Sequence, residues 1–194
     1  MRLRTLCLVL FVGLCARPVA AAPILSIEPG TSTVNQGDTF FLDINITNVT
    51  DLFGFQFDIL YDPTILTANE TVEGGFLSAG GSTLFIPGDA VSTPGDLSFT
   101  IGLLLGGISG VSGDGTLARV SFTAASGGTS SISLSNLLFQ DSLGEFIDPA
   151  TLNASVDVNA SSTAPVPEPG TLMLVGSGLA MAWRKRRHLT GGMA

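Results

Sequence analysis

Across the middle of the chain, apolar and polar residues alternate with a period of two. In Leu42-Asp43-Ile44-Asn45-Ile46-Thr47 the alternation is unbroken, which predicts a strand buried on one face. The same spacing places Phe53, Phe55, Phe57, Ile59 and Tyr61 on one face, then Leu97, Phe99, Ile101 and Leu103, then Ala118, Val120, Phe122 and Ala124. Each set predicts a row facing the core. Runs at Ile24–Ile27, Leu84–Ile86, Ile132–Leu134, Leu137–Phe139 and Val156–Val158 bring the expected strands to eight or nine. Glycine and proline clusters separate them, with Gly88-Asp89 and Gly113-Asp114-Gly115 reading as turns. No stretch holds the i, i+3, i+4 apolar pattern of a helix over three turns, so the expectation is an all-β sandwich. An immunoglobulin domain fits poorly, because the body has no cysteine pair and the single tryptophan, Trp183, lies near the C-terminus.

The two ends have a different character. Arg2 and Arg4 precede the apolar run Leu6–Leu14, and Val19-Ala20-Ala21 supplies small residues at cleavage spacing. Residues 1–21 therefore read as a secretory signal peptide, cut between Ala21 and Ala22. Cys7 and Cys15 both fall inside it, which leaves no cysteine for a disulfide framework. Seven of the eight basic residues also sit in the ends, and Arg119 alone remains in the body. Residues 22–164 carry 15 acidic groups against that arginine, a net charge of −14 (1 − 15). Such a surface repels phosphate backbones, so no nucleic-acid partner is expected.

Candidate chemistry is sparse. The body has no histidine, cysteine or lysine, which removes Ser-His triads, thiol nucleophiles, Schiff-base lysines and zinc sites. Paired carboxylates remain as a route to glycoside hydrolysis, but the body has no tryptophan and one tyrosine to offer a sugar platform. No catalytic or cofactor-binding residue is assigned. Calcium is the metal that suits an oxygen-rich chain, and Asp141-Ser142-Leu143-Gly144-Glu145 with Asp148 is the weak candidate, better read as a polar hairpin turn. Five Asn-x-Ser/Thr triplets, at Asn45, Asn48, Asn69, Asn153 and Asn159, read as solvent-facing strand and turn residues.

Taken in order, "GDTFFLDINITNV", "LFGFQFDILYDPTIL", "GDLSFTIG", "GDGTLARVSFTA" and "FQDSLGEFI" resemble the cohesin family of bacterial surface modules. In the Tyr61-Asp62-Pro63 step, proline favours an extended Asp62 and closes a strand with a polar turn. The resemblance implies a nine-stranded jelly-roll sandwich over residues 22–160, related in architecture to carbohydrate-binding modules. It also implies that the module works by protein contact, binding dockerin domains across one sheet face. No motif transfers partner-contacting positions to this chain.

The C-terminal stretch "PEPGTLMLVGSGLAMAWRKRR" is similar to the PEP-CTERM sorting signal, here residues 167–188 after a polar spacer at 161–166. Its parts are Pro167-Glu168-Pro169, an apolar run from Leu172 to Trp183, and Arg184-Lys185-Arg186-Arg187. The resemblance implies recognition by an exosortase in the inner membrane, removal of the tail, and release to the cell surface or an extracellular polysaccharide matrix. Thr171–Trp183 would span ~20 Å as a helix against a hydrocarbon core of about 30 Å, so it suits a transient stop. The basic residues would stay cytoplasmic by the positive-inside rule. The sequence thus points to an exported, non-catalytic binding module. A carbohydrate-binding module that retains matrix polysaccharide is the alternative, and a carboxylate-only glycoside hydrolase stands behind it.

Overall fold

One strand of 22 residues organises the domain: β3 (Thr39–Leu60). Its first half pairs antiparallel with β7 (Val111–Ala124) on one side and with β1 (Ile24–Glu28) on the other. Its second half pairs antiparallel with β6 (Asp96–Leu104) and β8 (Gly128–Asp141). The first sheet is extended by β4 (Leu66–Glu73) beside β7 and by β10 (Ala150–Leu152) parallel to β1. The second is extended by β5 (Thr83–Asp89) beside β6 and by β11 (Ala154–Asn159) beside β8, with β2 (Thr31–Asn35) parallel to β11. A two-residue β9 (Phe146–Ile147) folds back on the tip of β8, and a single helical turn, α1 (Gly75–Ser78), links β4 to β5.

The computed structural model of the chain describes residues 21–90, 92–161, 177–179 and 181. Residues 1–160 form one compact unit and 161–194 another. In the second, Ser177, Gly178, Leu179 and Met181 are helical, and no helix among the described residues is long and apolar enough to cross a membrane.

The expected all-β jelly-roll sandwich is the fold that forms. Among the described residues it has eleven strands: β2, β4, β9 and β10 are too short or too polar to register as alternating runs, while Ile132–Leu134 and Leu137–Phe139 are both part of β8. Conversely, the runs around Leu42–Thr47 and Phe53–Tyr61 belong to one strand. The Asn48–Asp51 link bends without breaking, since Asn48 and Asp51 adopt left-handed φ of 56° and 57°, which short polar side chains tolerate. Their N–H groups donate to Asp114 Oδ1 (2.7 Å) and Ser112 Oγ (2.9 Å) on β7, so the bend stays tied to its neighbour.

This changes the reading of two supposed turns. Gly113-Asp114-Gly115 lies inside β7 and Gly88-Asp89 ends β5. At Gly113 (φ 120°) the glycine accommodates the register shift opposite the bend, and at Gly115 an added Cβ would come within 2.6 Å of the Phe76 ring. Both glycines serve strand geometry rather than chain reversal.

The core lies between the two sheets. Phe57, Phe122 and Phe139 are fully buried, and Tyr61 meets Phe122 edge-on at 5.3 Å from across the sandwich. Phe55 stacks on Phe57 at 5.6 Å and on Phe139 at 6.1 Å.

The row on β6 departs from expectation. Leu97 points inward, but the inward positions beyond it are Thr100, Gly102 and Leu104, while Phe99 is 59% exposed. A bulge between the Phe57 and Ile59 partners shifts the register by one and reverses the faces. Phe99 occupies the bulge with φ 59°, and on the other side of β3 a second bulge places Asn136 at φ 49°. The reversal leaves Gly102 beneath the Phe55 ring, where an added Cβ would sit 2.4 Å from ring carbons. Gly102→Ala is therefore expected to lower stability by about 1–3 kcal/mol through overpacking, read as a lower urea midpoint at unchanged m-value.

Candidate functional site

Reversing β6 turns its apolar residues outward. Cross-strand partners in an antiparallel pair share a face, so the register lays Phe146, Gln140, Gly54, Leu103 and Leu84 across five strands in one outward row. Beside it runs a second row, Leu138, Gln56, Ile101 and Ile86. Leu84, Ile86, Leu138 and Phe146 are exposed, the last at 72%. Gly54 sits between the strands' larger side chains, and Leu103 leans over it. The result is a shallow hollow of about 100 Å³, floored by Gly54 and edged by Ile101, Leu103 and Leu138, with Gln56 and Gln140 as its side-chain amides.

No charged side chain lies in these two rows. Acidic groups stand at the ends instead: Asp51, Asp141 and Glu145 at one end, Asp89 and Asp96 at the other. The outer face of the other sheet is mostly polar and paired with itself, its exposed apolar residues being Phe41, which lies under the Arg119 guanidinium at 6.0 Å, and Val72. There Arg119 makes a two-pronged ion pair with Asp43 (2.6 and 2.8 Å), Thr116 donates to Asn45 (2.7 Å), and Asn69 donates to Thr123 (2.9 Å). The sandwich therefore has one sheet face with an extended apolar surface, and such a surface on an acidic domain marks a contact site.

The β3 segment that floors this surface is pinned at both ends by carboxylates. Asp51 accepts from the Ser142 hydroxyl (2.6 Å) and the Gly110 N–H (2.5 Å), which hold its carboxyl below the ordinary 3.8. Asp62 accepts from the Thr64 hydroxyl (2.6 Å) and N–H (2.8 Å) and is lowered in the same way. Between them Asp58, 2% exposed, accepts from the Phe99 N–H at 2.7 Å through Oδ1 and from the Asn136 amide through Oδ2.

Of the residues singled out from sequence, Ala21 and Ala22 are exposed and without regular structure just ahead of β1. Pro167, Glu168, Pro169, Arg184, Lys185, Arg186 and Arg187 lie outside the described residues. Asp141 Oδ1 accepts from the N–H groups of Leu143 (2.9 Å) and Glu145 (2.8 Å), the polar turn that was expected. Among the described residues no group of three or more metal-ligating side chains could hold an ion. The outward rows themselves escaped sequence reasoning. In "LSFTIGLLL" leucines occupy both parities at Leu103, Leu104 and Leu105, so alternation cannot choose a face, and Gly102 was the one available sign.

The family model of the cohesin domain matches residues 25–158, well over half of the chain. The chain belongs to the cohesin family. A second match, to the PEP-CTERM protein-sorting motif, covers residues 165–187 and marks an exported chain processed at the membrane. Among solved structures, a non-cellulosomal cohesin from Archaeoglobus fulgidus aligns with a TM-score of 0.59 at 18% identity, over 73% of this chain and 94% of its own. The CaCohA2 structure from Clostridium acetobutylicum, solved in complex with CaDoc0917, aligns with a TM-score of 0.58 at 25% identity, over 71% and 100%. The Coh-OlpA–Doc918 cohesin–dockerin complex from Clostridium thermocellum gives 0.59 at 17% identity, over 72% and 100%. No curated protein matches the chain. Cohesin domains are non-catalytic interaction modules, which is consistent with a body that has no histidine, cysteine or lysine.

The two lowered carboxylates give the domain an acid limit. Each stabilises the fold above its unfolded value near 3.8, and that contribution is lost as pH falls through the lower folded value. Melting temperature is expected to fall as pH drops from about 5 to about 2, with Asp51→Asn flattening part of that fall in a calorimetric series.

Proposed function

We propose that this cohesin domain is a non-catalytic receptor, exported through a signal peptide cut after Ala21 and delivered to the cell surface or extracellular matrix by an exosortase acting at Pro167-Glu168-Pro169. The observation that carries the reading is the pair of uncharged, largely apolar rows across the outer face of β5, β6, β3 and β8. A dockerin-type partner fits it by laying the apolar stripe of a helix along the rows, with a side chain seated in the hollow at Gly54. The acidic groups at both ends favour a partner whose helix carries basic residues outside its apolar stripe. Repulsion between two bodies of net charge −14 disfavours a second copy of the chain in that place.

The hollow supplies the direct test. Leu103→Glu should leave the fold intact, because the side chain stands outside the core, and should weaken a dockerin module that binds the wild type by about 100-fold, equivalent to about 2.7 kcal/mol. Calorimetric titration against a panel of dockerin modules reads it. A panel without a single binder for the wild-type domain would count against docking, and so would unchanged affinity in the variant. Sorting is tested separately. Glu168→Ala should leave the intact C-terminus on the membrane-bound chain, followed by fractionation and mass, and loss of the tail at the normal rate would remove the assigned role of the motif.

A further inference from the structure

The outward row on β6 is not the one that hydrophobic alternation favours, yet the favoured register is open to the same residues. Without a bulge, Phe57 would oppose Phe99, Phe55 would oppose Ile101 and Phe53 would oppose Leu103. Leu97, Phe99, Ile101 and Leu103 would then all enter the core, and Ser98, Thr100, Gly102 and Leu104, the last now 1% exposed, would face solvent. In the structure Phe57 opposes Thr100 and Phe55 opposes Gly102. That arrangement buries the Thr100 hydroxyl with no hydrogen-bond partner, exposes Phe99, and holds a bulky residue at positive φ. All three are unfavourable.

What offsets them lies on β3 opposite the bulge. Asp58 is almost fully buried, and its two oxygens are met by the Phe99 N–H from β6 and the Asn136 amide from β8. Asp58 shares its parity with the outward Gly54 and Gln56, so closing the β6 bulge would take away both the Phe99 N–H and the cover that Phe99 gives it, and the charge-assisted hydrogen bond between them would be lost. The space beneath Phe55, which only a glycine fits, complements the same register.

We propose that Asp58 is the positioning residue of the docking face: its buried carboxylate selects, from two registers open to β6, the one that turns Phe99, Ile101 and Leu103 outward. Its bearing on binding rests on the reading of that face as a docking surface. The choice of register does not.

The test uses three variants of the exported chain. Asp58→Ala removes both acceptors, Asn136→Asp sets a second carboxylate against the first, and the double variant Asp58→Asn/Asn136→Asp exchanges the amide and carboxylate while keeping an oxygen for the Phe99 N–H. Nuclear Overhauser contacts distinguish a Phe57–Thr100 pairing from Phe57–Phe99, and line broadening by a soluble paramagnetic agent reports exposure of the Phe99 ring. Asp58→Ala should show the Phe57–Phe99 pairing and at least about a fivefold loss of broadening at Phe99, since the ring leaves solvent. Asn136→Asp should lose the bulged pairing or fail to fold, and the double variant should restore it. Retention of the Phe57–Thr100 pairing with an exposed Phe99 in Asp58→Ala would overturn the proposal. If Asp58→Ala does not fold, the double variant decides: bulged pairing supports the proposal and its absence overturns it. A dockerin module that binds wild type serves as a separate readout. Unchanged affinity in a register-shifted Asp58→Ala would leave Asp58 as the selector and remove the docking reading instead.

Discussion

A strand that belongs to two sheets has to bend, and a bent strand cannot keep regular register with neighbours on both sides. That constraint falls on β3, and much of the rest follows from it. Its bend at Asn48–Asp51 hands the strand from β7 and β1 to β6 and β8. The mismatch is absorbed at a few points where a polar side chain meets a displaced donor: Asp114 and Ser112 take backbone N–H groups at the bend, Asp58 takes the Phe99 N–H at one bulge and the Asn136 side-chain amide at the other, and Asp62 takes the Thr64 N–H where the strand ends. An apolar residue in place of Asp58 would keep the alternation of β3 but would leave the Phe99 N–H without that acceptor.

This accounts for a composition that looks one-sided on paper. Several carboxylates of the domain are satisfied by the chain's own amides and hydroxyls, and the only ion pair among the described residues is that between Arg119 and Asp43. Structural use of acids in this manner needs no lysine, and it leaves the body with its high net negative charge.

The sequence exposed the fold more fully than the site, for identifiable reasons. The inward set Ala118, Val120, Phe122 and Ala124 follows strict alternation because β7 is regular there, and the Tyr61-Asp62-Pro63 step closes β3 through the hydrogen bonds of Asp62 to Thr64. The β6 row was misassigned because a bulge inverts parity without changing composition, and nothing local to "LSFTIGLLL" records that a carboxylate 41 positions away receives the Phe99 N–H. The apolar outward face inherits that blind spot. Its rows are assembled from five strands by long-range pairing, and each strand alone offers at most two of their residues, a leucine and an isoleucine on β5 and on β6.

The placement of β11 also constrains timing. It lies between β8 and β2, so the second sheet reaches back 124 positions, from Asn159 to Asn35, for its last pairing. Seven residues, Ala160 to Val166, separate that strand from Pro167, at most ~25 Å of extended chain. A polypeptide threaded N-terminus first thus emerges with its sheet open, and its closing strand arrives together with the sorting segment. The strand that closes the sheet is thus also the last to appear, seven residues ahead of the sorting motif, and the two leave the export machinery almost together.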